Sequence, residues 1–294
     1  MNTSAPITVG VDGSAESDAA VRWATAEAIR RRSGLLLVSV FNPSPMSAGY
    51  MAIPIDLTTP MRDAAQDNLR LATDIAEQIA KDERAALHIE RRIICGNVRQ
   101  SLIAVSRQAS TLVLGVRGSD HAQFGLIGST AWALAGHAKC SVTIVHDQPG
   151  RQAPDRPVVV VGVDGSPSSA SAVDVAFTEA GLMGAKLVAV HAWDYRIPGP
   201  VLDPFHGLSL PDVEQAATTL LSDQLAAYRE QHPEVEVEQV LAHDQPIPAI
   251  TAAALDADLL VVGSRGRGGF TSLLLGSTSH GLLSTVECPL MIVR

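Results

Sequence analysis

Short runs of apolar, β-branched residues alternate along this chain with longer stretches whose apolar positions follow a helical period. Ile7 to Val11 is the first such run. Ala15 to Arg31 reads as the helix that follows it, with Ser14 as the cap. The pattern then predicts a strand over Leu35 to Phe41, a helix over Met61 to Lys81, a strand over Leu87 to Cys95 and a helix over Val98 to Gln108. Thr111 to Gly115, Ser129 to His137 and Ser141 to His146 complete the set as strand, helix and strand. Strands separated by helices imply βαβ crossovers and a parallel sheet, and strands apolar along both faces imply helices on both sides.

The order is then repeated. Val9-Gly10-Val11-Asp12-Gly13-Ser14 recurs unchanged as Val161-Gly162-Val163-Asp164-Gly165-Ser166, and Gly115, Gly118, Gly128 and Ser129 fall on Gly263, Gly266, Gly276 and Ser277. Cys140 falls likewise on Cys288. A duplication with a small change of length between the matched blocks accounts for this. The join, Asp147 to Pro157, replaces the periodic pattern with prolines, a glycine and charges, as a linker does. The reading is one domain over residues 1–147, a linker over 148–157 and a second domain over 158–294, each an open, doubly wound sheet.

Charge narrows the choice of partners. The formal net charge of −9 argues against nucleic acid or an anionic membrane surface, since both need a clustered basic face. Met1 to Pro6 carries no basic stretch leading into an apolar run, and no apolar run approaches the ~20 residues of a membrane span, so a cytoplasmic protein is expected. Cys95, Cys140 and Cys288 form no Cys-x-x-Cys pair and read as reduced, buried hydrophobes.

In open α/β sheets a ligand lies beyond the carboxyl ends of the strands, where the strand order reverses. Asp12-Gly13-Ser14 and Asp164-Gly165-Ser166 follow the first strand of each copy; the aspartate can accept a hydrogen bond from a ribose hydroxyl or an adenine amino group. The same residues also suit a plain turn and helix cap. After the fourth strand comes Gly115-Val116-Arg117-Gly118, then nine residues, then Gly128-Ser129 opening a helix; the second copy has Gly263-Ser264-Arg265-Gly266, nine residues, and Gly276-Ser277. Glycine lets backbone N–H groups approach a phosphate and tolerates left-handed conformations, and a helix start adds unpaired donors. For Arg117 and Arg265 a solvated loop and a phosphate contact stand open side by side.

On these motifs the chain resembles the universal stress protein family in its tandem-domain form, over essentially its whole length. Its ATP-binding members carry Gly-x2-Gly-x9-Gly-Ser/Thr after the fourth strand, and both copies match. The resemblance implies two tandem Rossmann-like domains of the adenine nucleotide alpha hydrolase-like type, each an open five-stranded parallel sheet with helices on both faces. It implies ATP, accompanied by Mg, in each half. Asp12 and Asp164 would lie near the adenosine, and the Val40 and Ala192 backbone at adenine. Gly115, Gly118, Gly128 and Ser129 would hold ribose and phosphates, as would Gly263, Gly266, Gly276 and Ser277; Arg265, on its own loop position, is a further candidate binding residue there. The last strands, Ser141 to His146 and Leu290 to Val293, would pair into an internal pseudo-dimer, with a homodimer as a further assembly.

No catalytic constellation is recognisable: P-loop, nucleophile-elbow and His-Glu-x-x-His patterns are all absent from the sequence. A nucleotide-dependent regulatory module is the expected function, with a slow ATPase or ATP-dependent transferase and a nucleotide-free scaffold as alternatives. His121 reads as an exposed loop residue, and Trp23 and Trp132 as core. The Pro-rich stretches Asn42 to Pro60 and Asp194 to Pro211 are either flaps over adenine or variable loops. The second loop has Arg267, Gly268, Gly269 and Phe270 where the first has Ser119, Asp120, His121 and Ala122. A carboxylate beside a triphosphate opposes binding, so tighter ATP binding is expected in the second half.

Overall fold

The structure is a computed structural model and describes residues 5–43, 58–118, 127–148, 156–193, 210–266 and 274–294. The linker centre, the bulk of both Pro-rich stretches, and the loop residues Ser119 to Ala122 and Arg267 to Phe270 lie outside the described residues. The chain divides into two units, Met1–Pro149 and Gly150–Arg294.

The first unit runs β1 (Ile7–Gly10), α1 (Ala15–Arg31), β2 (Leu35–Phe41), α2 (Thr58–Asp82), β3 (Ile89–Cys95), α3 (Val98–Val105), β4 (Thr111–Gly115), α4 (Ser129–His137) and β5 (Ser141–Val145). Its strands are parallel in the order β3-β2-β1-β4-β5. The second unit repeats this with β6 (Val158–Gly162), α5 (Pro167–Met183), β7 (Lys186–Trp193), α6 (Leu210–Gln231), β8 (Val237–His243), α7 (Pro246–Ala253), β9 (Leu259–Gly263), α8 (Ser277–Thr285) and β10 (Leu290–Val293). Its parallel order is β8-β7-β6-β9-β10. The chain reverses direction across the sheet between β1 and β4, and again between β6 and β9. Those are the crevices in which open α/β sheets take ligands.

Small residues set the spacing of the layers. Helix α1 buries Ala20, Val21, Ala24 and Ala28 against the sheet, and α2 buries Ala65, Leu69, Ala72, Ala76 and Ala80, each set along one helical stripe. Ile7, Val9, Leu35, Leu37 and Val113 meet them from the strands and are fully or almost fully buried.

Element ends follow local chemistry. Pro60 sits in the first turn of α2, where no intrahelical N–H is needed, so the helix starts at Thr58 and not at Met61. Helix α3 stops at Val105, short of Gln108, because the Ser106 hydroxyl donates to the Ile103 carbonyl at 2.8 Å and accepts from Lys139 N at 2.9 Å. Strand β3 departs from the doubly buried reading: Glu90, Arg91 and Arg92 are exposed on this edge strand, where charges discourage further pairing. Of the cysteines, Cys288 is buried as expected, Cys140 is half-buried and Cys95 is exposed at the end of β3. Trp23 is half-buried against the first core, but Trp132 lies on the outer side of α4 with 41% of its surface exposed.

The turn from β1 into α1 is fixed by three neighbouring residues. Gly13 takes φ 81, a left-handed conformation that costs a Cβ-bearing residue energy, and Gly165 takes φ 79 at the same point of the second copy. The Ser14 hydroxyl accepts from Ser17 N at 3.1 Å and Ser166 accepts from Ser169 N at 3.1 Å, so α1 and α5 are both capped. Ser14→Ala should therefore destabilise the first half by about 1 kcal/mol. Denaturant unfolding would check this, and an unchanged midpoint would show that the cap carries no stability.

Candidate functional site

Each unit has a cavity at the carboxyl ends of its strands, beside the switch point. The first, of about 230 Å³, is lined by all six positions expected there: Asp12, Val40, Gly115, Gly118, Gly128 and Ser129. The second, of about 290 Å³, is lined by Asp164, Ala192, Gly263, Arg265, Gly266, Gly276 and Ser277. Val40 comes from the end of β2 and Ala192 from β7, Gly115 and Gly263 from the last positions of β4 and β9, the other glycines from the loops that follow, and the serines from the first turns of α4 and α8.

The aspartate is held by its own turn. Asp12 Oδ1 accepts from Ser14 N at 3.0 Å and from the Ser14 hydroxyl at 2.7 Å, and Asp164 Oδ1 accepts from Ser166 N at 2.9 Å. The other carboxylate oxygen lies against the opposite loop: a Cβ on Gly118 would be 2.6 Å from Asp12 Oδ2, and one on Gly266 would be 2.5 Å from Asp164 Oδ2. Glycine at these positions is what allows the carboxylate and the loop backbone to share the cavity mouth.

The remaining glycines act by close approach. A Cβ on Gly115 would meet the Glu16 backbone carbon at 2.6 Å, and one on Gly263 the Ser168 carbonyl oxygen at 2.7 Å. These two let the helix of each half lie directly on the strand. Gly128 N donates to Val116 O at 2.8 Å and Gly276 N to Ser264 O at 2.8 Å, which ties the end of each loop back to its beginning. The left-handed backbone anticipated for the loop glycines is not found at these six positions; among the described glycines it belongs to Gly13 and Gly165 near the site, and to Gly96 and Gly184 elsewhere.

Helices α4 and α8 begin at the cavity with glycine at the cap position and no side-chain cap, unlike α1 and α5. The first intrahelical bonds to those caps come from Trp132 N and His280 N. The N–H groups of Ser129, Thr130 and Ala131, and of Ser277, Thr278 and Ser279, therefore have no partner within their helix. All six residues line the cavities. An anion at either helix start would receive several backbone donors and the positive dipole end. Val40, Val98 and Leu102, and in the second unit Ala192, Pro246 and Ile250, give each cavity an apolar shelf suited to a flat base. The residues present thus fit a nucleotide: an apolar slot, a carboxylate at the turn, and uncapped donors.

Sequence reasoning missed the shelf residues Val98, Leu102, Pro246 and Ile250, because the start of the third helix reaches the cavity only once the sheet is assembled. It also missed Ser17 and Ser169, whose hydroxyls accept from Asp12 N at 3.3 Å and Asp164 N at 3.1 Å. Their identical spacing after the aspartate in both copies was the available signal.

The halves differ in charge. Arg117 Nε donates to Glu16 Oε1 at 3.0 Å in a partly buried ion pair. Arg265, at the equivalent position, is exposed and has no carboxylate partner among the described residues. Ser168 stands where the first copy has Glu16, and its hydroxyl accepts from Arg265 N at 3.4 Å. The second unit also adds a polar contact: the Ser279 hydroxyl donates to Gly263 O at 2.6 Å, where the first has Ala131.

Comparison with known proteins follows the same division. The universal stress protein family matches residues 4–146 and again 156–294, and the chain belongs to that family. A universal stress protein of Mycobacterium tuberculosis is 34% identical over 290 residues, covering 98% of this chain and 96% of its own. One from Mycolicibacterium smegmatis is 36% identical over 294 residues, covering 98% and 96%. Among solved structures, a universal stress protein from Archaeoglobus fulgidus superposes with a TM-score of 0.68 at 19% identity, covering 99% of each chain, which shows a shared fold.

The close approach of helix to strand has a measurable consequence. Gly263→Ala places a methyl group where the Ser168 backbone already lies, and overpacking of this kind costs about 1–3 kcal/mol. A lowered unfolding midpoint is expected. Unaltered stability would mean that α5 can withdraw from β9 without cost.

Proposed function

We propose that this member of the universal stress protein family is an ATP-binding regulatory module with one nucleotide site in each half. The observation that supports this most is the convergence, twice in one chain, of an uncapped helix start, a glycine-lined loop and a strand-end aspartate around one cavity. In this reading adenine lies on the apolar shelf beside the backbone of Val40 or Ala192. Asp12 and Asp164 accept from ribose hydroxyls. The backbone N–H groups of Ser129 to Ala131 and of Ser277 to Ser279 hold phosphate, with Mg accompanying the triphosphate as its counter-ion.

The groups at the site bind and orient; the output is a change in the surface beside α4 and α8 when nucleotide is held. The protein acts in the cytoplasm in this reading, in response to stress. The strands β5 and β10, each with a single strand neighbour within its own unit, are the elements we assign to pseudo-dimer pairing inside the chain, and a homodimer is a further assembly of the same kind.

Two variants test the reading. Gly266→Val drives a side chain into the Asp164 carboxylate and should abolish ATP binding in the second half while leaving the circular dichroism spectrum and first-half binding intact. Calorimetric titration with ATP reads this directly, and undiminished second-half affinity would remove the site from this cavity. Glu16→Gln releases Arg117 from its ion pair and should tighten ATP binding in the first half by roughly threefold to tenfold, the scale of one partly exposed charge contact. Unchanged or weaker binding in the same titration would show that Arg117 does not meet phosphate.

A further inference from the structure

Beside the first cavity lies another recess, of about 310 Å³, which shares Val98, Ser129 and Thr130 with it and is otherwise lined by Asn42, Asn97 and Arg99. The two adjoin at the start of α4. Among the described residues the lining of the recess is polar apart from Val98, with Arg99 as its cation and no carboxylate. Asn97 caps α3 through Oδ1, which accepts from Gln100 N at 3.1 Å, so the end of its side chain left for a ligand is the NH2 donor. Arg99, two residues further on, is exposed and has no ion pair among the described residues. The Asn97 NH2 group and the Arg99 guanidinium suit an anion and offer little to a flat base.

The second half has no arginine at the position matching Arg99. Gln245, Pro246 and Ile247 stand where the first half has Asn97, Val98 and Arg99. Among the described residues its cation at the cavity is Arg265, on the loop after β9, whereas the matching Arg117 of the first half is held by Glu16. Among the described residues, each half therefore has one arginine without an ion pair at its cavity, on α3 in the first and on the glycine loop in the second.

We propose that Arg99 receives the terminal phosphates of ATP in the first half, within the recess between α3 and α4, while Arg265 does so in the second. This rests on the nucleotide reading above. The two sites then hold the same adenosine but direct the phosphate chain differently, and Arg99 decides how well the first site tells ATP from AMP.

The test titrates the full chain, carrying Gly266→Val to remove the second site, with ATP and with AMP. Arg99→Ile, which introduces the residue found at the matching position of the second half, should weaken ATP by about tenfold or more and AMP by less than about twofold. Arg99→Lys, which keeps the charge, should recover most of the ATP affinity. Loss of ATP and AMP binding to the same extent, or of neither, would overturn the assignment while leaving the nucleotide reading standing. Binding of neither nucleotide by the parent chain would defeat the nucleotide reading itself, and this assignment with it.

Discussion

The first helix of each half lies so close to the fourth strand of the same sheet that no side chain fits between them. A Cβ at Gly115 would come within 2.6 Å of the Glu16 backbone, and one at Gly263 within 2.7 Å of the Ser168 carbonyl. That approach carries the turn before the helix, with its aspartate, up against the loop that leaves the strand. Gly118 and Gly266 complete the fit by leaving room for the carboxylate. Without it the aspartate, the loop and the uncapped helix start would line separate surfaces, and neither half would have a cavity with all three.

Duplication preserved this backbone and let the charges drift. Both halves keep the left-handed glycine, the capped first helix and the hydrogen bond that closes the loop base. What differs is what surrounds the arginine of the loop: Glu16 in one half and Ser168 in the other. On the proposed nucleotide reading, tandem sites that share a frame but not their electrostatics would respond to different nucleotide levels, which a single site cannot do. The frame is set by steric constraints that a substitution disturbs at once, whereas the charges lie at the rim and change at small cost in stability.

Much of the fold was legible in the residues because local chemistry agrees with tertiary placement. The β-branched runs became strands, Ser14 and Ser166 became caps, and the repeated glycines marked the loops at the cavity. What could not be read depends on distant residues. The Glu16–Arg117 pair joins positions about a hundred residues apart, and nothing in either segment announces it. The third helix contributes Val98 and Leu102 to the cavity only through the order of strands in the sheet. The role of Gly115 is hidden for a related reason, since its need for a missing side chain comes from a helix that lies elsewhere in the sequence. Residue type alone assigns Trp132 and Cys95 to the core, yet both are exposed, because the stripe of α4 and the edge of β3 that they occupy have no covering layer among the described residues of their own unit.

A crystal structure of the protein grown with ATP and Mg would decide whether the two cavities are nucleotide sites. Nucleotide is expected in both, with phosphate oxygens within hydrogen-bond distance of the first backbone N–H groups of α4 and α8 and the ribose beside Asp12 and Asp164. ATP bound elsewhere on the chain, or both cavities without nucleotide at saturating ATP, would contradict the two-site reading.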